Sequence, residues 1–503
     1  MNTILGELGK SKKFVELIKN IEEKQSPIGI SGLSNVGMLE TIASINEYTK
    51  KPIAIITYNE IQAKWIVENL QFFTDKAIYF PKKDIVTYDY VAESKDLPYA
   101  RIEALNKLNS KRNYIFVTTI EAAMQKLPAK ELLYKNILKF KVGEVHSLDQ
   151  IKQDLVNLGY TRCDLIEGRG QFSLRGGILD ISINDAIGVR IEFWGDEIDS
   201  IRNFNIVSQR SINGLEKVEI EPAHEYILEK PIEEICKKVR KTIANDLQED
   251  IIEQDIEQIK AGNYISKIDK YFDCFYDKQE TVIDYLNQNS IITFDEIRKI
   301  EQRAQNVIKD NDNLIKNLIE KGKVVPQAIS NIQPFSSIEK LVEESKKVTI
   351  YIEKQDNKID RQAQNYNFSY RAINYFKSEI ETLFTDIRKA QEQGKNIYVV
   401  VATKEKAKKL KEILEKEDIM CKIEEKLDKT IIVKTQEKII TIAVGKLTEG
   451  FENYDINQVV IAADELIEGG KKKKTFAHQA YKEGEKVVFA DLKIGDYVVH
   501  KNY

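Results

Sequence analysis

Short apolar runs that each end in glycine or a polar cap and then pass into a helical repeat constrain this chain more than any other feature. "PIGISGL" (27–33) leads into a helix read from Met38 as "MLETIASINEY", and "KPIAIITY" (51–58) leads into "NEIQAKWIVENLQFF" with Asn59 as its N-cap. "KAIYFPKKD", a loop to Pro98, the helix "YARIEALNKLNS" and the strand "NYIFVTT" (113–119) continue the alternation. Strands that alternate with helices predict a parallel sheet covered by helices on its faces.

The pattern changes near residue 128. After a helix "SLDQIKQDLVNLGY" (147–160), the stretch "GRGQFSLRGGILDISINDAIGVRIEFWGDEIDSIRNFNI" has dense glycines and period-2 apolar alternation. That is the signature of consecutive antiparallel strands, with Gly195-Asp196 as a hairpin tip. Strand-helix alternation resumes in "VIDYLNQNSIITFDEIRKIEQRAQNV" (282–307), so the antiparallel module is expected to be an insertion. Between them, "PIEEICKKVRKTIANDLQEDIIEQDIEQIKAGNY" reads as a solvated helical face. A further α/β unit begins near residue 345: strand "KVTIYIE", helix 371–394, strand "NIYVVVAT" (396–403), helix "KEKAKKLKEILEKE", then strands "KIITIAVG" and "NQVVIAADEL".

With 503 residues, 42% apolar and 31% charged, the chain has material for several cores, and its net charge of -4 excludes a general electrostatic grip on a phosphate backbone. Its 4 cysteines and 4 histidines lack metal-ligand or disulfide-framework spacing, so no metal site is expected. The opening "MNTILGELGKSKKF" is polar, and no apolar run reaches the roughly 18 residues of a membrane span, which predicts a cytoplasmic protein with no membrane partner. Lys471 to Lys474 read as an exposed linker.

"GISGLSNVGMLE" (29–40) has the Gly32-x-x-x-x-Gly37 spacing of a phosphate-binding loop, but Met38 stands where a lysine belongs and Leu39 where a hydroxyl belongs. In a working loop, backbone N–H groups hold the phosphates, the lysine neutralises the β/γ charge and the hydroxyl ligates magnesium. Methionine supplies no charge and leucine binds no metal, so no catalytic residue is assigned here. "FDEI" (294–297) and "ADEL" (463–466) look like acidic pairs at strand ends, with no functional cradle to couple to.

Of 14 arginines, 6 fall within residues 162–210: Arg162, Arg169, Arg175, Arg190, Arg202 and Arg210. In "VRIEFW", strand period sends Val189, Ile191 and Phe193 to one face and Arg190, Glu192 and Trp194 to the other. In "QFSLR" the same rule buries Phe172 and Leu174 and leaves Arg175 outside. Arginines and a tryptophan on outward faces of neighbouring strands have the composition of a protein-binding hot spot. The alternative is a Trp194 packed under a neighbouring helix, with the arginines paired to local acids such as Glu167 and Asp196.

"LGYTRCDLIEGRGQFSLRGGILDI" followed by "VRIEFWGDEIDSIRNFNIVSQRS" resembles the UvrB-like amino-terminal region of the transcription-repair coupling factor family (Mfd). "YFPKKDIVTYDY", "TIAVGKLTEGFENYDINQVVIAADELI" and "FADLKIGDYVVHKNY" are similar to further family stretches, the last to the opening of its RNA-polymerase-interacting domain. The resemblance implies a P-loop-NTPase-like parallel-sheet domain that has lost its ATP-binding motif and survives as a docking surface for UvrA, with Arg175, Arg190 and Trp194 as the contact residues. It further implies that the whole protein is an ATP- and magnesium-dependent DNA translocase that releases stalled RNA polymerase. The motor, its DNA contact and the polymerase-contacting strands are not expected within this chain, which is expected to be a piece of that protein with no nucleotide cofactor of its own.

The expected architecture is therefore multidomain α/β: a UvrB-like domain in two parts, 1–127 and 215–335; the inserted α+β module, 128–214; a third α/β domain, 345–468; a charged linker, 469–484; and the start of the polymerase-interacting domain, 485–503. Two rival readings are an active UvrB-type NTPase or helicase component, and direct DNA binding through the lysine run and the arginine module.

Overall fold

In a computed structural model the described residues are 3–83, 96–228, 230–243, 246–262, 265–320, 332–354, 363–375, 380–424 and 439–467. The "YFPKKDIVTYDY" stretch beyond Lys83, the Lys471–Lys474 run, the expected linker 469–484 and the expected strands at 485–503 lie outside them. The chain is a multidomain α/β protein built on two large sheets, one parallel and one mixed, and an insert whose sheet is antiparallel except for the Thr161–Arg162 strand.

The first sheet has 7 strands, all parallel. In spatial order they are Gln364–Asn367, Ile28–Ser31, Thr349–Glu353, Ile291–Asp295, Ile53–Thr57, Ile115–Thr119 and Ala77–Phe80. The central strands are buried on both faces, as continuous apolar runs such as "IAIIT" require. Their helices start where the sequence supplies caps: Ser34 accepts the Gly37 N–H ahead of the Asn35–Thr49 helix, and Asn59 accepts the Gln62 N–H ahead of Glu60–Phe73. Each cap contributes about 1 kcal/mol.

Thr349–Glu353, expected to open the third unit, belongs instead to this first sheet, between Ile28–Ser31 and Ile291–Asp295. Both neighbours bond to it in parallel register, so without it the sheet would be split through its middle. Apolar alternation marks a strand but not the sheet it joins. The short strand Gln364–Asn367 then adds to the outer edge of Ile28–Ser31.

The insert leaves and returns through one antiparallel neck, Leu138–Lys141 against Lys217–Ile220, set inside the expected start at 128 and beyond the expected end at 214. Above the neck, 6 strands form a sheet in the order Ser211–Leu215, Glu197–Asn205, Ile187–Trp194, Ile178–Ser182, Gln171–Arg175 and Thr161–Arg162. Phe172, Leu179, Ile181, Val189, Ile191 and Phe193 face inward on the Leu148–Asn157 helix, and their cluster runs on into the core of the first sheet. The expected tip is present, with Gly195 at φ +64° as the first central residue of the turn.

The charged stretch after residue 231 is not only a solvated face. Helices Ile232–Arg240, Asp246–Lys260 and Ile265–Phe275 bury Ile235, Val239, Ile252, Ile256 and Phe272 in a core of their own. Two nearly buried lysines, Lys267 and Lys270, converge there on the Asp255 carboxylate.

The third unit has a mixed sheet ordered Tyr370–Ile373, Gly450–Asn453, Gln458–Ala462, Asn396–Val401, Ile440–Val444 and Cys421–Glu424. Tyr370–Ile373 is a strand where a helix from 371 was expected, because it pairs antiparallel with Gly450–Asn453; the helix itself is Ile380–Glu392. Tyr398, Val400, Phe451 and Val460 on one face of this sheet share a core with Val36, Leu39 and Ile42 of the Asn35–Thr49 helix. That helix is sandwiched between the two large sheets.

Candidate docking surface and the filled glycine loop

Strand register places the outward residues of the insert in rows. Ser173, Asp180 and Arg190 lie opposite one another across three strands, and Arg190 in turn faces Arg202. Asp180, only 2% exposed, accepts from Arg190 through Nε at 2.6 Å and Nη2 at 2.8 Å, and from Arg175 Nη2 at 2.9 Å. Arg190 also reaches Gln209 Oε1 at 3.3 Å and lies 4.6 Å over the Phe204 ring. The ring can sit there because position 188, its cross-strand partner, is glycine; a Cβ at Gly188 would run into it. Hydrogen bonding to Asp180 raises the Arg190 pKa further above its ordinary value, so its charge is fixed at every accessible pH.

Trp194 ends the same row of alternation and is 85% exposed, so the indole is not sealed under a helix. Arg175 is half-exposed at 50%, whereas Arg190 is 18% exposed and presents only an edge. The arginines do pair with acids, as the alternative held, but with Asp180 for Arg175 and Arg190 and with Glu192 for Arg202, not with Glu167 or Asp196. These pairs lie within the face and leave it outward-looking.

Two further members of the face were missed. Asp180 was legible, since counting back across the Ile183–Ile187 turn puts position 180 opposite Arg190. Val145, 71% exposed, pairs with Glu197, itself the cross-strand partner of Trp194, and so extends the apolar end of the row. That bridge joins distant segments and has no local signal.

The glycine loop has a different character. Gly32 has φ +72° and its amide neighbourhood is closed by Phe368 and Asn367, which a Cβ would strike. The Tyr370 ring lies on Gly37, and the chain is stitched to the loop by Phe368 N–H to Ser31 O at 2.9 Å and Tyr370 N–H to Gly32 O at 3.0 Å. Met38 and Leu39 are fully buried in the core shared with the third unit. Glu449, from the third unit, lies against Asn35 at the helix start; burial raises its pKa, opposed by hydrogen bonds from the Asn35 side chain and backbone and by the charge of Lys354.

Asp295, from the "FDEI" pair, is fully buried at the end of its strand, where it accepts from Thr57 Oγ1 at 3.0 Å and Gln62 Nε2 at 3.2 Å. Lys354 Nζ sits 3.1 Å from its other oxygen. Asp464, of "ADEL", accepts the Ala402 N–H at 2.9 Å and pairs with Lys406 at 2.8 Å. The space above the glycines thus holds Phe368 and Tyr370, the Glu449 carboxylate lies at the helix start, and Asp295 is paired with Lys354.

Residues 138–226 match the family described as the UvrB interaction domain. The transcription-repair-coupling factor of Bacillus subtilis (strain 168) is 29% identical over 100% of this chain and 43% of its own length. That of Staphylococcus aureus (strain bovine RF122 / ET3-1) is 28% identical over 94% of this chain and 41% of its own. The chain thus spans about two fifths of the length of the curated relatives it matches. With the matched segment beginning at the first strand of the neck and ending just past the second, these likenesses make the chain a sequence relative of transcription-repair-coupling factors that carries a region similar to the UvrB interaction domain.

Proposed function

We propose that this chain is the adaptor part of a transcription-repair coupling factor, and that the outward face of its insert docks UvrA while the chain itself hydrolyses no nucleotide. Trp194 carries the reading: an 85% exposed indole at a strand end, on the same sheet face as Arg175, is costly to leave in water without a partner to cover it. Trp194 and Arg175 are the anchors, and Arg190 supports them by holding the row together. In the whole protein, an ATP-driven translocase would act on DNA and stalled RNA polymerase, and this region would recruit the excision machinery.

Titration of UvrA onto immobilised chain tests the reading. Trp194→Ala is expected to weaken binding roughly thirtyfold, the effect of losing about 2 kcal/mol from a hot spot. Unchanged affinity removes the assignment. Calorimetry with ATP and magnesium tests the other half, and micromolar binding to this chain would favour an active NTPase.

A further inference from the structure

Asp180 is the least exposed charged group on the docking face, and it touches two of the face's arginines, Arg175 and Arg190. Three adjacent strands deliver the three side chains, Arg175 from Gln171–Arg175, Asp180 from Ile178–Ser182 and Arg190 from Ile187–Trp194. The carboxylate takes Nε and Nη2 of Arg190 side-on and one Nη2 of Arg175 end-on. With Glu192 and Arg202 cancelling each other, the Arg175–Asp180–Arg190 group carries one surplus positive charge rather than two.

We propose that Asp180 is the specificity-determining residue of this face: it fixes the two guanidiniums as one fork that reads a protein carboxylate, and it removes the charge that would make the patch a phosphate binder. The inference rests on the UvrA-docking reading. A guanidinium held side-on by a buried carboxylate keeps its remaining N–H edge in one plane, so a partner acid meets preorganised donors. Free of Asp180, two arginines on a flat sheet would offer mobile double charge, which suits a polyanion better than a single carboxylate.

The test compares wild type, Trp194→Ala and the near-isosteric Asp180→Asn for UvrA affinity and for duplex DNA affinity across a salt series. Asp180→Asn is expected to lose about tenfold in UvrA affinity and to gain DNA binding whose salt slope steepens by about one. Wild-type UvrA affinity in Asp180→Asn, with Trp194→Ala defective, overturns this inference and leaves the docking reading standing. An unaffected Trp194→Ala sinks the docking reading itself. Loss of UvrA binding without any gain for DNA also overturns the inference, because a merely distorted face would behave that way. Should Asp180→Asn fail to fold, Arg175→Gln/Asp180→Asn, which carries no added charge, replaces it. That double variant is expected to bind UvrA less well than Arg175→Gln alone, and equal affinity overturns the role given to Asp180.

Discussion

The Tyr370 hydroxyl donates a 2.8 Å hydrogen bond to the fully buried carboxyl of Glu40 while its ring covers Gly37. One side chain thereby closes the glycine loop and joins the first sheet to the third unit. The loop carries no lysine and its space is taken by an aromatic ring, and the two features suit each other: a helix start without a lysine has no electrostatic reason to exclude such a ring.

Giving the loop a lysine and a hydroxyl is therefore not expected to make it a nucleotide site. Met38→Lys with Leu39→Thr should give no ATP·magnesium heat at millimolar nucleotide, because Phe368, Tyr370 and Glu449 still fill the cleft. The same double change should lower the melting temperature, since both positions are fully buried among apolar neighbours. Tight nucleotide binding by that variant would show that the filling is displaceable.

Glu40 sets a pH dependence of known sign. Burial, opposed by hydrogen bonds from Tyr370, Asn453 and Gln458, pushes its pKa up from 4.5 to about 8. Between those values the folded chain holds a proton that the unfolded chain releases, so this group makes stability fall as pH rises from 4.5 to about 8 and level off above. Glu40→Gln should flatten that part of the profile and raise stability at pH 9 by a few kcal/mol at most. Urea midpoints measured from pH 5 to 9 would reveal it, and parallel profiles for the two proteins would contradict a buried neutral acid.

A second buried group offers a contrast. Arg101, 1% exposed, is held by Glu225 through Nε at 3.0 Å to each oxygen, by Pro81 O at 2.7 Å and by Gln125 at 3.0 Å, above the Phe80 ring. Arg101→Ala strands the Glu225 carboxylate and should cost about 3–5 kcal/mol by denaturant unfolding. Replacing both, as Arg101→Met with Glu225→Met, should cost clearly less than the single change. A cycle without coupling would mean that water, rather than Arg101, solvates Glu225.

The sequence showed most of the elements and missed how some are assigned. Apolar runs and the Asn59 cap placed the strands and helices of the first sheet, and alternation placed Trp194 outward. The Thr349–Glu353 strand was seen but given to the wrong sheet, because side-chain period carries no information about partners hundreds of residues away. Tyr370–Ile373 was taken for helix, since four residues have too few periods to separate the two states. The acids offered by the alternative reading, such as Glu167 and Asp196, were loop neighbours, whereas the hairpin register pointed to Asp180.

Fluorescence can report the docking face directly, because the chain has 2 tryptophans and they differ in surroundings. Trp65 donates from Nε1 to Thr448 Oγ1 at 2.9 Å across the junction with the third unit, while Trp194 stands 85% exposed on the insert. In a Trp65→Phe background the remaining emission should be that of a solvated indole, readily quenched by acrylamide. Adding UvrA should shift it to shorter wavelength and protect it, as expected when an anchor enters a desolvated pocket. Trp194→Phe should leave the unfolding free energy within about 0.5 kcal/mol of the parent, as an 85% exposed side chain implies. Emission from Trp194 that is already blue-shifted and shielded in the free chain would place the indole against another part of the protein and remove it from the docking face.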